Sequence, residues 1–203
     1  MFAKFMKNRN RKKLNDEKYS YLFDIPPEGE YVCFDCETTG LDPKTDDIIS
    51  IGAVKIKDNK ILTSKKFERF IKPQKKLDAE SIQIHQIRTC DLIHGEDIHD
   101  VIEEFMVFIG ARPLVGYYLE FDMAMVNKYI KPRIGINLPN KQHEVSAIYH
   151  DKKIQRIPQG HIDLRFNTIM KDLKLPFMGK HDALNDAIMT AMIFIKLSYP
   201  NPR

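Results

Sequence analysis

Two carboxylates at alternate positions of an apolar run, Asp35 and Glu37 in Asp35-Cys-Glu37-Thr-Thr-Gly40, are the first residues in this 203-residue chain that could do chemistry. Strand side chains alternate, so both acids point to one face. Their repulsion calls for a positive group, and a hard divalent cation with oxygen ligands is the natural one. A third acid, Asp122, follows a short apolar run; alone, it is better explained as a first-turn helix acid favoured by the dipole. A fourth, Asp186, lies in His181-Asp-Ala-Leu-Asn-Asp186-Ala beside Ala183, Ala187 and Ile188. An acid near a core face needs a partner. Five residues of helix turn by roughly 500°, so His181 and Asp186 cannot share a helix face. If both serve one site, His181 precedes the helix, which Gly179 permits; alone, it reads as an exposed loop histidine.

The elements that must position these groups follow from periodicity. Tyr31 to Cys36, Asp47 to Lys57 and Ile61 to Ile71 read as three successive strands, with Asp58-Asn59 a tight hairpin turn and Pro73 the stop. This predicts an antiparallel meander. Ile98, Val101, Ile102, Phe105, Phe108 and Ile109 then recur at helical spacing, ended by Pro113. Leu114 to Tyr118 reads as a strand, and Phe121 to Ile130 as a helix stopped by Pro132. Asp163 is placed as the cap of a helix reaching about Leu173, and a last helix runs from about Asp182 to Leu197. Residues 133–160 give no clear pattern. Strands followed by alternating helix and strand predict an α/β fold, a mixed sheet flanked by helices.

Four carboxylates and one histidine are what two-metal phosphodiester hydrolysis requires. Two ions ~3.5–4 Å apart bracket the phosphate; one activates water and the other stabilises the leaving 3′ oxygen. A histidine that titrates near neutrality accepts the water's proton. The motifs Asp35-Cys-Glu37-Thr38-Thr39-Gly40-Leu41-Asp42-Pro43, Ser81-Ile-Gln-Ile-His85-Gln-Ile, Leu114-Val-Gly-Tyr-Tyr-Leu-Glu-Phe121-Asp122 and His181 to Ala187 occur in order. Together they resemble the DEDDh family of 3′→5′ exonucleases, in the epsilon-type proofreading branch of the ribonuclease-H-like superfamily. The resemblance covers about Glu30 to Leu197. Asp rather than Tyr at 182 separates the chain from the sister group with a tyrosine there.

The resemblance implies a ribonuclease-H-like fold and two Mg²⁺ or Mn²⁺ ions as cofactors. Asp35, Glu37 and Asp186 would hold the ion that carries the nucleophilic water. Asp35 would bridge to the second ion, with Asp122 near it, and His181 would be the general base. Thr38 would contact the terminal nucleotide through its backbone and Leu41 would lie against the base. The implied substrate is single-stranded nucleic acid, DNA ahead of RNA, cut from the 3′ end to nucleoside 5′-monophosphates in proofreading or repair. A DNA polymerase or its accessory subunits would be the protein partner. An RNA-trimming exonuclease of the same family and a non-catalytic polymerase accessory protein are the alternatives. Many members carry His-Asn where this chain has Tyr117-Tyr118. Either the tyrosines stack on a base, or one belongs to the core and the other to the surface.

The charge of +4 is uneven. Residues 1–18 hold seven basic side chains against Asp16 and Glu17, a local +5 that leaves the remainder at −1. Residues 1–28 therefore read as a basic N-terminal arm, and 29–203 as the exonuclease domain. The arm either tracks a phosphate backbone or is a solvated terminus, with Tyr19-Ser-Tyr21-Leu-Phe23 able to dock on the body. No apolar run approaches the ~20 residues of a membrane span, and no apolar region follows the basic start as in a signal peptide. Three cysteines argue against a disulfide framework, so the expected location is cytoplasmic. Cys33 and Cys36, three apart on a strand, face opposite sides and read as buried thiols. His94 with His99, and His143 with His150, read as surface groups.

Overall fold

The computed structural model describes residues 9–75, 77, 82–83, 87–155, 162–179 and 182–198. Its centre is a five-stranded sheet in the order β3-β2-β1-β4-β5. The strands are β1 (Glu30–Thr38), β2 (Ile48–Lys57), β3 (Lys60–Phe70), β4 (Leu114–Gly116) and β5 (Gln142–Glu144). β1 pairs antiparallel with β2, and β2 with β3, while β4 runs parallel to both β1 and β5. This is the mixed sheet, led by an antiparallel meander, that the sequence pattern predicts. The β2–β3 turn is Asp58-Asn59, with φ of 48° and 64°. Two successive left-handed residues twist a two-residue turn the way the strands twist, and Asp and Asn tolerate that conformation.

Among the described residues, the helices that cover the two faces are α1 (Ile98–Ile109), α2 (Leu119–Ile134), α3 (Val145–Ile154), α4 (Phe166–Asp172) and α5 (Ala183–Ser198). The alternation of β1 divides the core. Val32, Phe34 and Cys36 face the cluster that holds α1 and α2, whereas Cys33 faces the cluster of α3, α4 and α5. Cys33 and Cys36 are thus buried thiols on opposite faces, as their spacing predicts.

Several boundaries differ from expectation. α1 ends at Gly110, whose φ of 53° suits glycine; Pro113 lies beyond the stop. β4 is only three residues long, because Tyr118 turns into the left-handed region and ends it. α2 begins two residues early and runs through Pro132 to Gly135. Proline costs that helix one N–H, but Ile130 and Ile134 are fully buried and anchor the last turn. The N-terminal lead-in also satisfies its carbonyls. Asn15 N–H donates to Ile134 O at 3.0 Å, and Asn15 Nδ2 to Arg133 O at 3.2 Å. The docking anticipated for Tyr19–Phe23 is present: a 3₁₀ turn over Glu17–Phe23 buries Tyr19, Leu22 and Phe23, and Tyr19 Oη donates to Glu103 at 2.8 Å. Asp163 does not cap α4. Its carboxylate accepts from Arg165 N–H and Thr168 Oγ1, holding the turn before a helix that starts at Phe166. The unreadable stretch supplies β5 and α3. Among the described residues no helix is long and apolar enough to cross a membrane.

Candidate active site

Asp35 and Glu37 leave β1 on the α5 side, and Asp186 comes down from the first turn of α5. One carboxylate oxygen from each lies within 4.8 Å of the others. Asp122 lies close enough to Asp35 to raise its pKa, but outside that three-acid group. β4 stops at Gly116, so the next outward-pointing amide of β1, Cys36 N–H, has no strand partner. Asp122 Oδ1, in the first turn of α2, accepts it at 3.0 Å. The helix-acid reading of Asp122 is what the structure shows: the side chain sits in the first turn of α2 and is 4% exposed.

The electrostatics of the described residues are dominated by burial and by the acids' effect on one another. Burial, then Asp122, Glu37, Asp186 and Asp182, pushes the Asp35 carboxyl well above the usual range. Burial, then Asp186 and Asp182, raises Glu37 to about 8. Burial raises Asp122 as well, partly offset by the Cys36 amide. Among the described residues, the charges that raise Glu37 are Asp186 and Asp182. The donor set is oxygen only, converging and desolvated, and fits hard divalent cations. His181, assigned as the base on sequence, lies outside the described residues, as does His85.

Gly52 was not singled out in the sequence, and Asp182 only as the residue that stands where the sister group has tyrosine. Asp182 caps α5, its Oδ1 accepting from Asn185 N–H at 2.9 Å and its carbonyl from Asp186 N–H. It adds a fifth negative charge near Asp35 and Glu37. An Asp just ahead of an apolar helical run is a legible cap. Gly52 pairs directly with Asp35 across β1–β2, and a Cβ there would collide with the backbone of Ala183 and Leu184. An isolated glycine inside an Ile- and Val-rich strand marks such a close approach.

Of the two residues that the resemblance assigns to the terminal nucleotide, Thr38 ends β1 and Leu41 lies in the loop beyond it. Thr38 Oγ1 donates to Gly40 O at 2.7 Å, and Leu41 is 83% exposed. The loop carrying Leu41 is braced. Thr39 N–H donates to Asp47 O, and Asp42 N–H to Asp46 Oδ2. From α2, Lys128 Nζ reaches Asp46 O at 2.7 Å and Asp47 Oδ1 at 3.3 Å, while Tyr129 Oη donates to Asp47 Oδ1 at 3.1 Å. Lys128→Met leaves the buried Asp47 carboxylate short of its cation. It is expected to cost about 1–3 kcal/mol of stability, read as a lowered urea midpoint, and to raise KM more than it lowers kcat.

The two tyrosines divide as one of their readings held. Tyr117 is half-buried, its hydroxyl on Leu164 O at 3.0 Å and its ring edge-on to Phe166. It walls a cavity of about 250 Å³ that also touches Asp35, Asp186, Arg165 and Thr190. Tyr118 is exposed. His143 corrects an expectation: it is half-buried, its ring 5.7 Å from both Tyr31 and Phe194, and burial, then Lys141, lowers its pKa.

The exonuclease family described as RNase T matches residues 32–194. The chain belongs to that family. The DNA polymerase III PolC-type of Thermotoga petrophila is 31% identical over 166 residues, 82% of this chain and 12% of that protein. The DNA polymerase III subunit epsilon of Aquifex aeolicus is 28% identical over 170 residues, 84% of this chain and 81% of the relative. The chain thus spans about an eighth of the PolC-type relatives, and most of the epsilon subunit. E. coli Exonuclease I in complex with a dT13 oligonucleotide superposes with a TM-score of 0.72 at 16% identity, covering 87% of this chain and 42% of that one. That likeness bears out the ribonuclease-H-like fold. The protein is an exonuclease domain, a nuclease related to the DNA polymerase III subunit epsilon.

Proposed function

We propose that this exonuclease hydrolyses single-stranded DNA from its 3′ end, releasing nucleoside 5′-monophosphates, in proofreading or repair in the cytoplasm. The observation that carries the reading is the convergence of Asp35, Glu37 and Asp186 within 4.8 Å, with Asp122 anchored to the neighbouring β1 amide. These four acids would hold Mg²⁺ or Mn²⁺. When bound, such ions lower the pKa of a water and stabilise developing charge on a leaving oxygen.

The chain's own groups have separate tasks. His181 takes the proton of the attacking water at an imidazole nitrogen. The Thr38 backbone and Leu41 hold the terminal nucleotide, and the Lys128–Asp47 brace keeps that loop in register with the acids. Glu37 and Asp122 are buried and Asp35 and Asp186 partly so, which strengthens each interaction within the site. The oligonucleotide in the Exonuclease I complex supports a single strand as substrate, and the epsilon-subunit and PolC relatives support a polymerase as partner.

The test is digestion of a 5′-labelled single-stranded DNA, beside its RNA twin, with Mg²⁺ or Mn²⁺. Wild type should give a descending ladder on DNA that Asp186→Ala abolishes. A ladder on RNA alone would overturn the substrate assignment, and undiminished activity in the variant would overturn the site.

A further inference from the structure

Arg165 is exposed and yet tied to one place. Its side chain, 84% exposed, meets the Asp163 carboxylate along one edge: Nε lies 3.0 and 2.9 Å from the two oxygens, and Nη2 2.6 Å from Oδ2. Asp163 is fixed in turn, accepting Arg165 N–H and Thr168 Oγ1. The guanidinium holds the Asp163 carboxyl well below the usual carboxylate range, so the pair stays ionised. An exposed arginine ordinarily samples many rotamers, and a surface ion pair contributes little to stability. Stability is therefore a weak reason for this arrangement.

The neighbours of Arg165 set where it stands. Leu164 O accepts the Tyr117 hydroxyl at 3.0 Å, and the Phe166 ring packs edge-on to Tyr117. Arg165 lies between these two anchored residues, at the wall of the cavity of about 250 Å³ that Asp35 and Asp186 also line. Tyr117 spends its hydroxyl on the backbone and serves there as a wall. Among the described residues Arg165 is the cation of that lining, and exposed Asn167 adds a neutral amide from the start of α4. A guanidinium carries five N–H donors in a planar fork. Asp163 takes the Nε edge, and no described residue accepts from Nη1. The edge left over matches two oxygens of one phosphate.

We infer that Arg165 is a substrate-binding residue: its outward fork grips the phosphodiester one linkage upstream of the scissile bond, where the strand enters the cavity beside the acids. This rests on the function proposed above and adds a second point of hold on the same strand. Asp35 and Asp186 are partly buried and Arg165 is exposed, so the guanidinium stands toward the mouth. The scissile phosphate belongs with the acids, and the next phosphate meets Arg165. Such a contact reads backbone charge and no base, so it serves every sequence alike.

Wild type, Arg165→Gln, Arg165→Lys and Asp163→Asn are compared in removing the 3′-terminal nucleotide from a 5′-labelled single strand of DNA. The same strand carrying a neutral methylphosphonate at the second linkage from the 3′ end is run beside it. For wild type the neutral linkage should raise KM about tenfold, with kcat changed far less. Arg165→Gln should raise KM about tenfold on the ordinary strand and be indifferent to the neutral linkage, because both changes remove one contact. Arg165→Lys, a point charge without the fork, should fall between. Anisotropy titrations of both strands in the Asp186→Ala background repeat the comparison without turnover. There Arg165→Gln should make the slope of log affinity against log salt shallower by about 0.7. If Arg165 only braces the turn before α4, Arg165→Gln and Asp163→Asn lower the melting temperature alike, and Arg165→Gln keeps the full penalty for the neutral linkage. That result overturns the inference while wild-type digestion keeps the function, as does a wild type that digests with no penalty. Binding without digestion, with the penalty present in the titrations and lost in Arg165→Gln, upholds the grip and removes the hydrolysis. Wild type that neither digests nor binds overturns both.

Discussion

With divalent cations chelated, the protein is expected to lose about 2 kcal/mol of stability between pH 6.5 and 8, a fall of about 4–8 °C in melting temperature. Glu37 is raised by burial and its acid neighbours from 4.5 to about 8, and Asp35 and Asp122 are raised from 3.8. A group whose folded pKa is raised contributes stability that is fully present below its unfolded pKa and is lost as pH rises through the folded value. For Glu37 that window runs from about 4.5 to about 8. His143 works the other way, because its folded pKa is depressed below 6.5 and its contribution is lost as pH falls. Starting at pH 6.5 puts most of the His143 change outside the measurement. Each proton released across the window contributes up to 1.36 kcal/mol per pH unit.

Asp35→Asn makes the prediction specific. The amide keeps the shape and removes the central charge, so the chelated variant should melt higher than wild type and show a flatter pH slope. Its activity should fall at least about a thousandfold, since the residue central to the proposed ligand set is gone. Mg²⁺ should raise the wild-type melting temperature, more at pH 8 than at 6.5, because ligands must be deprotonated to bind. Unchanged melting across the pH range, with Asp35→Asn no more stable, would remove the acid cluster as a site of stored repulsion. The site thus trades stability for readiness.

The legible parts of this molecule were those with period and length on their side. Asp35 and Glu37 could be placed on one face because nine residues of β1 alternate, and Asp58-Asn59 announced its own turn chemistry. The three-residue β5 was not legible, since that length holds hardly more than one repeat of an alternation. α3, which mixes Val145 and Tyr149 with charged neighbours, presents only a narrow apolar stripe. Pro132 misled because the penalty it signals is local, while the buried Ile130 and Ile134 and the carbonyl contacts of Asn15 are tertiary. Similarly, Asp122 on sequence is one helix acid among many. Only the early end of β4 shows that a β1 amide was waiting for it.

Gly52→Ala is expected to disable the enzyme without touching any acid. The position is the sheet partner of Asp35, and α5 crosses there so closely that a methyl group would strike the backbone of Ala183 and Leu184. Backbone cannot rotate away as a side chain can, so either α5 lifts or β2 bends. α5 is tied down by Ala187, Met189, Ala191 and Ile193, all fully buried, which leaves its first turn to move. That turn carries Asp182 and Asp186. Overpacking costs about 1–3 kcal/mol, and displacing one ligand by about 1 Å costs on the order of a hundredfold in rate. The measurement is kcat with Mg²⁺ beside the chelated melting temperature. The variant should fall about a hundredfold in kcat, and its gain in melting temperature on adding Mg²⁺ should shrink relative to wild type. A variant that unfolds outright would answer only for stability, so Ile188→Val on α5 serves as a second probe. Ile188 is 9% exposed, one helical turn beyond Leu184 on α5, and its truncation should cost about 1 kcal/mol with the Mg²⁺ response retained. If Gly52→Ala instead keeps wild-type turnover and the full Mg²⁺ response, the close crossing of β2 and α5 does not set the distance between Asp35 and Asp186.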